Sequence, residues 1–145
     1  MKKLALLLIV MLSSINVYAF KFDGIDLNGT ISEITRAISR KNYVSTAENP
    51  NVLTGLCQGS RINLSFNYTD VTEKNHLGQL IVDIPSTDPT AYINNVQLLN
   101  VIYHQISNSE AGYVYAVDED GTTLLLSKTE TGMRLTYNTP YYQKK

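Results

Sequence analysis

From residue 20 onward the apolar positions fall into two rhythms. Phe20 and Phe22 alternate with Lys21 and Asp23, the period-two pattern of a half-buried strand. Gly24 interrupts it, and Ile25 and Leu27 resume it. Leu-Asn-Gly at 27–29 is turn chemistry, because Asn and Gly accept positive φ. The rhythm then becomes helical. Thr30 is a good N-cap and Glu33, three residues on, completes a capping box. Ile31, Ile34 and Ile38, with Ala37 beside them, form one apolar stripe. Arg36, Arg40 and Lys41 suit the negative end of the helix dipole, and Asn42 is a stop before Tyr43 and Val44 lead out.

Strand rhythm returns at 52–57 and 62–68, joined by Gln-Gly-Ser-Arg at 58–61. In the second run Ile62, Leu64, Phe66 and Tyr68 share one face, and Arg61, Asn63, Ser65 and Asn67 the other. One wet side argues for an antiparallel sheet. A polar loop occupies 69–78. Leu80, Val82 and Ile84 make a further strand that ends at Pro85. Asp88 then predicts an N-cap with Pro89 at the first helical position. Tyr92, Val96, Leu99, Tyr103 and Ile106 step by four and three, with Ile93 and Ile102 widening the stripe, so a helix is expected to about Ser107 and Asn108. The last third reads as a meander of 113–117, 122–127 and 133–137. Its turns are Asp-Glu-Asp-Gly at 118–121 and Lys-Thr-Glu-Thr-Gly at 128–132. The predicted order is β-α-β-β-β-α-β-β-β, an α+β fold with two helices packed on one face of an antiparallel sheet. No close repeat is evident along the chain.

The first nineteen residues stand apart. Lys2 and Lys3 precede an apolar run at 4–12 that is too short to span a bilayer. Val17-Tyr18-Ala19 follows with small residues at the −3 and −1 positions. This is the pattern of a cleavable signal peptide, with cleavage expected between Ala19 and Phe20 and a periplasmic or secreted product. Residues 20–145 then make one domain, with the tail 140–145 expected to fray. The chain has 12 Lys and Arg against 13 Asp and Glu, and loss of Lys2 and Lys3 leaves it more acidic. No basic stripe exists for phosphates, so nucleic acid is not an expected partner. Anionic membranes are excluded on the same ground, and no membrane insertion is expected after cleavage.

Candidate chemistry is sparse. The single cysteine, Cys57, cannot form an intramolecular bridge and reads as a buried small hydrophobe. His76 lies in the polar loop. His104 falls on the second predicted helix, turned away from its stripe, and neither fits an HxxxH or HExxH spacing. Counting Asp118 as the first position of a calcium loop puts Thr122 fifth and Thr129 twelfth, where acidic ligands belong, so 118–121 reads as a hairpin turn. No G-x-S-x-G elbow or phosphate-binding glycine loop occurs, and no cofactor or metal is expected. Asp23, Asp26 and Asp83 are the carboxylates that space could pair for hydrolysis, with Asp83 pointing outward from its strand. Asn28, Asn63 and Asn67 open N-x-[ST] sequons, chance matches in a chain whose leader looks bacterial. Of 10 tyrosines one is in the leader, and Tyr113, Tyr115, Tyr137, Tyr141 and Tyr142 gather in the last third. Tyrosine is rigid and amphipathic, and it is common in contacts with proteins and sugars. The alternative is a tyrosine-rich sheet core with hydroxyls at its rim.

The opening also carries a resemblance. Gly24-Ile25, Leu27, Gly29, Thr30, Ser32-Glu33 and Lys41-Asn42-Tyr43 are similar to the start of a group of small exported proteins of gut Bacteroidetes. Those have a "GIPLDG"-like turn, a capped amphipathic helix and a "KGF"-like exit. Leu-Thr-Gly-Leu-Cys-Gln-Gly at 53–59 resembles their next strand, and 82–105 stands where they carry a strand and a helix. Asn42 stands where they have Gly, the second helix lacks their "KYG"-like ending, and the last third lies outside the comparison. The resemblance implies an α+β fold of the beta-lactamase-inhibitor-protein type and brings no catalytic residues.

These readings lead to an expectation of a non-enzymatic binding module. It would recognise a protein or glycan through an open sheet face, with Tyr113, Tyr115, Tyr137, Tyr141 and Tyr142 as partner-binding residues. The alternatives are an inhibitor or immunity-type protein for an extracytoplasmic enzyme, and a hydrolase with spatially assembled carboxylates.

Overall fold

The computed structural model describes residues 21–22, 25–26, 30–45, 47–49, 52–57, 60–68, 76–117, 119 and 121–142. The expected leader, the turn at 27–29, residues 58–59, most of the polar loop (69–75), Asp118, Asp120 and 143–145 lie outside them.

Two short strands, β1 (Lys21–Phe22) and β2 (Ile25–Asp26), pair antiparallel. They bury Phe22 and Ile25. Helix α1 (Ile31–Arg40) begins where its residues dictate. Thr30 Oγ1 accepts from the Glu33 N–H at 3.3 Å, and Glu33 Oε2 accepts from the Thr30 N–H at 2.8 Å. Two N–H groups that a helix start leaves orphaned are thereby satisfied. Thr30→Ala should therefore lower stability by about 1 kcal/mol, measurable as a shift in urea midpoint at unchanged slope. Ile34 and Ile38 are buried. At the far end Asn42 takes φ 63°, a left-handed residue just past the C-cap Lys41. That conformation is Gly's by default and Asn's next.

Among the described residues the main sheet has eight antiparallel strands. They are β3 (Val44–Ser45), β4 (Val52–Cys57), β5 (Ser60–Tyr68), β6 (Leu77–Pro85), β7 (His104–Ser109), β8 (Gly112–Ala116), β9 (Thr123–Thr129) and β10 (Gly132–Asn138). The spatial order is β3-β4-β5-β6-β10-β9-β8-β7. Helix α2 (Ala91–Ile102) stands between β6 and β7 in sequence. The order is palindromic. Each half is a helix followed by a four-strand meander, and the last strands of the halves, β6 and β10, meet at the centre. The linear sequence shows no such repeat, because the halves share an element order and little residue identity.

The predicted element order therefore needs correction. The opening strand is a β1–β2 pair, and β3 adds an edge strand where only an exit was expected. The second helix stops at Ile102. Tyr103 is already extended at φ −124°, ψ 158°, and residues to Ser109 form β7 against β8. Pairing with β8 outweighs the helical spacing of Tyr103 and Ile106, an instance of tertiary context overriding a local pattern. His104 is accordingly a strand residue. At the helix start the N-cap is Thr90, without a side-chain cap bond, and not the expected Asp88. In the turn before it Asp88 Oδ1 accepts from the Thr90 N–H at 2.9 Å and the Thr90 hydroxyl at 2.8 Å. Those bonds hold its carboxyl below the usual carboxylate range. The regular helix counts from Ala91, after a turn through Pro89 and Thr90. Its buried face is Ala91, Asn95, Val96 and Leu99, whereas Ile93 and Ile102 face outward.

The core follows from strand register. Leu53, Leu64, Val82, Leu135, Leu126 and Tyr113 stand opposite one another across β4, β5, β6, β10, β9 and β8. Phe66, Leu80, Tyr137, Leu124 and Tyr115 form the next row. These rows join Ile34 and Ile38 of α1 and Val96 and Leu99 of α2 in one hydrophobic cluster. Cys57 is buried in the same cluster.

Candidate functional site: the polar sheet face

Side chains alternate across a strand, so the residues between the core positions share the other face. Register lines them up in three rows. One is Thr54, Asn63, Asp83, Arg134 and Ser127. A second is Val52, Ser65, Ile81, Thr136, Leu125 and Val114. The third is Asn67, Gln79, Asn138, Thr123 and Ala116.

The outer rows are cross-braced. Asn67 Nδ2 donates to Gln79 Oε1 at 2.7 Å, and Gln79 Nε2 donates to Asn138 Oδ1 at 2.9 Å. An amide ladder thus runs over β5, β6 and β10. In the first row Thr54 Oγ1 donates to Asn63 Oδ1. Arg134 grips Asp83 through two bonds, Nε to Oδ1 at 2.7 Å and Nη2 to Oδ2 at 3.3 Å. The carboxylate beside it raises the Arg134 pKa further above its ordinary value. The fork geometry holds both side chains flat on the sheet. Between these rows Ile81, Leu125 and Val114 are half-buried. With buried Thr136 standing between Ile81 and Leu125, this face offers a largely aliphatic strip flanked by oriented donors and acceptors.

The tyrosines expected to bind a partner are placed otherwise. Tyr115 and Tyr137 have no exposed surface, and Tyr113 is half-buried on the same core-facing rows. The Tyr115 hydroxyl donates to Asn100 Oδ1 at 3.0 Å, with Val96 O at 3.4 Å. Burial, with the Tyr113 and Tyr92 phenols adding to it, pushes its pKa up to about 12. Burial raises Tyr137 well above the usual phenol range too. Tyr113 lies 6.3 Å from Tyr92, ring centre to ring centre, tilted by 52°. The expected exposed patch of these three rings is thus corrected: Tyr115 and Tyr137 are core, and Tyr113 packs half-buried against it. Alternation already held the signal, since Met133, Leu135 and Tyr137 recur every second residue opposite Arg134, Thr136 and Asn138. Tyr141 and Tyr142 are exposed. They do not fray. Thr139 N–H donates to Gly78 O at 2.9 Å, Tyr142 N–H to Thr139 O at 3.0 Å, and the Tyr141 ring stacks on His76 at 4.2 Å.

Other groups are committed or dispersed. Asp83 is in the Arg134 pair, and Asp26 is exposed on β2, while Asp23 lies outside the described residues. Asp88 and Glu130 both line a cavity of about 130 Å³ between the start of α2 and the β9–β10 turn. Among the described residues no three His, Cys, Asp or Glu gather as metal ligands. A cleft of about 610 Å³ lies between α1 and the β4–β5 strands, lined by uncharged residues including Thr35, Ile38, Tyr43, Leu53 and Phe66. No described helix is long and apolar enough to cross a membrane. Comparison of the chain with protein-family models, curated proteins and solved structures gives no match.

Proposed function

We propose that the protein is an exported, non-enzymatic binding module whose sheet face, opposite the helices, docks a protein partner. The observation that carries this reading is the half-buried strip of Ile81, Leu125 and Val114 between two braced polar rows. An apolar centre with a polar rim is the anatomy of a protein interface. The bracing matters as well. Side chains already held by cross-strand bonds lose less freedom when a partner arrives. A glycan ligand is favoured less, because sugars stack on exposed aromatic rings and the tyrosines of β8 and β10 are turned into the core. Export rests on the leader pattern at 1–19, and the likeness to small exported Bacteroidetes proteins agrees with it. The helix-plus-strands unit, used twice, is compatible with the beta-lactamase-inhibitor-type fold which that likeness implies.

The test is affinity capture from the exported fraction with the wild-type chain and with Leu125→Arg. A protein should be retained by the wild type. Leu125→Arg should weaken its binding about tenfold or more, the scale of losing a central contact, with the melting temperature held. Equal retention by Leu125→Arg would refute the face as the site. Binding of a glycan array with no captured protein would favour the sugar reading. A captured enzyme whose turnover falls on adding the chain would make the protein an inhibitor or immunity-type partner.

A further inference from the structure

We propose that the chain pairs with a second copy of itself through β7, continuing the sheet across a two-fold axis. β7 closes one side of the sheet, and on its outer side no described strand pairs with it. A strand edge presents a row of backbone donors and acceptors that another strand can satisfy. The opposite edge is treated differently, since β3 spans only Val44–Ser45 and offers little to pair with. Edges are usually protected by lysine, proline, inward charge or a bulge, and of these β7 carries only a bulge. His-Gln-Ile-Ser-Asn-Ser at 104–109 has no Lys, Arg, Asp, Glu or Pro.

Its one irregularity is a bulge between Gln105 and Ser107, which leaves Ile106 out of register with β8 and 55% exposed. Close to it, at the end of α2, Val101 is 85% exposed and Ile102 41%. These are the largest concentration of exposed aliphatic side chains among the described residues, and they flank an uncharged edge.

A second copy fits this edge for three reasons. An uncharged strand meets its own image without like-charge repulsion. Antiparallel pairing about the strand midpoint sets Gln105 opposite Asn108 of the second copy and Ile106 opposite its Ser107, so amides face amides. The two-fold axis is then perpendicular to the sheet, which keeps both α2 helices on one side. α2 runs into β7 through the single residue Tyr103, so Val101 and Ile102 of the two copies flank the new joint. The fold already uses such a joint once, where β6 and β10 bring the two halves together.

Sedimentation and light scattering of the purified protein over a wide dilution series test this. The expected result is a dimer that dissociates on dilution, with backbone amides of 105–109 exchanging more slowly as concentration rises. Ile106→Lys places two cations near the axis and should abolish the dimer at every concentration. Val101→Asp should weaken it in the same direction. Val44→Lys on the other edge and Leu125→Arg on the sheet face should leave it intact. Circular dichroism establishes that each variant is folded. A wild type that stays monomeric throughout would overturn the proposal. So would a dimer that persists in folded Ile106→Lys and Val101→Asp, or one that Leu125→Arg abolishes instead.

Discussion

Gly132→Val should destabilise the protein by about 3 kcal/mol or more, lowering the melting temperature by on the order of 10 °C. Gly132 opens β10 and stands opposite both Thr129 of β9 and Pro85 of β6. Its φ is +159°, and a Cβ there would lie 2.7 Å from Ser86 N and 2.9 Å from Pro85 Cα. Both neighbours are backbone, so neither can rotate aside. Ser86 N–H also donates to Thr131 O at 2.9 Å, which ties the same turn to the end of β6. A side chain would force apart the two strands that join the halves of the sheet. Strain at a backbone conformation reserved for glycine adds to the clash. Gly121→Ala is the control. Its φ of +101° carries conformational strain, but the nearest atom to a new Cβ is Pro140 Cγ at 4.0 Å. About 1 kcal/mol is expected there. A loss at Gly132 no larger than that at Gly121 would mean the close approach is not what the glycine serves.

What could be read from the residues was local. Thr30 and Glu33 announce a capping box and form one. Asn42 announces a helix stop and adopts the left-handed turn. Gly121 marks a hairpin and takes positive φ, with Val117 N–H donating to Thr122 O at 3.1 Å across it. Each is decided within a few residues by steric or hydrogen-bond preference. The features that were not legible depend on register between distant segments. Residues 104–109 keep a helical spacing up to Ile106, yet the edge of β8 recruits them as a strand. Asp83 meets Arg134 across 51 residues, and Gln79 meets Asn138 across 59. Until β6 and β10 are known to be neighbours, neither the ion pair nor the amide ladder can be proposed. The candidate site is therefore invisible in the linear chain, although every strand that builds it is predicted. The tyrosines are a different case, since the alternation of Met133, Leu135 and Tyr137 with Arg134, Thr136 and Asn138 already turns Tyr137 inward.

That correction has a direct consequence for Tyr115 and Tyr137. Truncating either to alanine should cost about 3–5 kcal/mol, the range for removing a large aromatic side chain from a packed core. The same change at Tyr141, exposed and stacked on His76, should cost about 1 kcal/mol. Were the rings a docking patch, the ordering would reverse: Tyr115→Ala would spare stability and lose the partner. Tyr115→Phe separates packing from hydrogen bonding. It keeps the ring and deletes only the hydroxyl that donates to Asn100, so about 1 kcal/mol should be lost. Alkaline titration reads the same burial without mutation. The Tyr115 pKa lies at about 12 in the folded chain against an ordinary 10.0. Between those values the unfolded phenol gives up its proton while the folded one keeps it. Stability from this group is therefore complete below pH 10 and falls as pH rises toward 12. Phenolate absorbance should rise in two steps, exposed rings first and buried rings with the unfolding transition. In Tyr115→Phe the second step should shrink. A single step near pH 10 in the folded protein would place these rings at the surface after all.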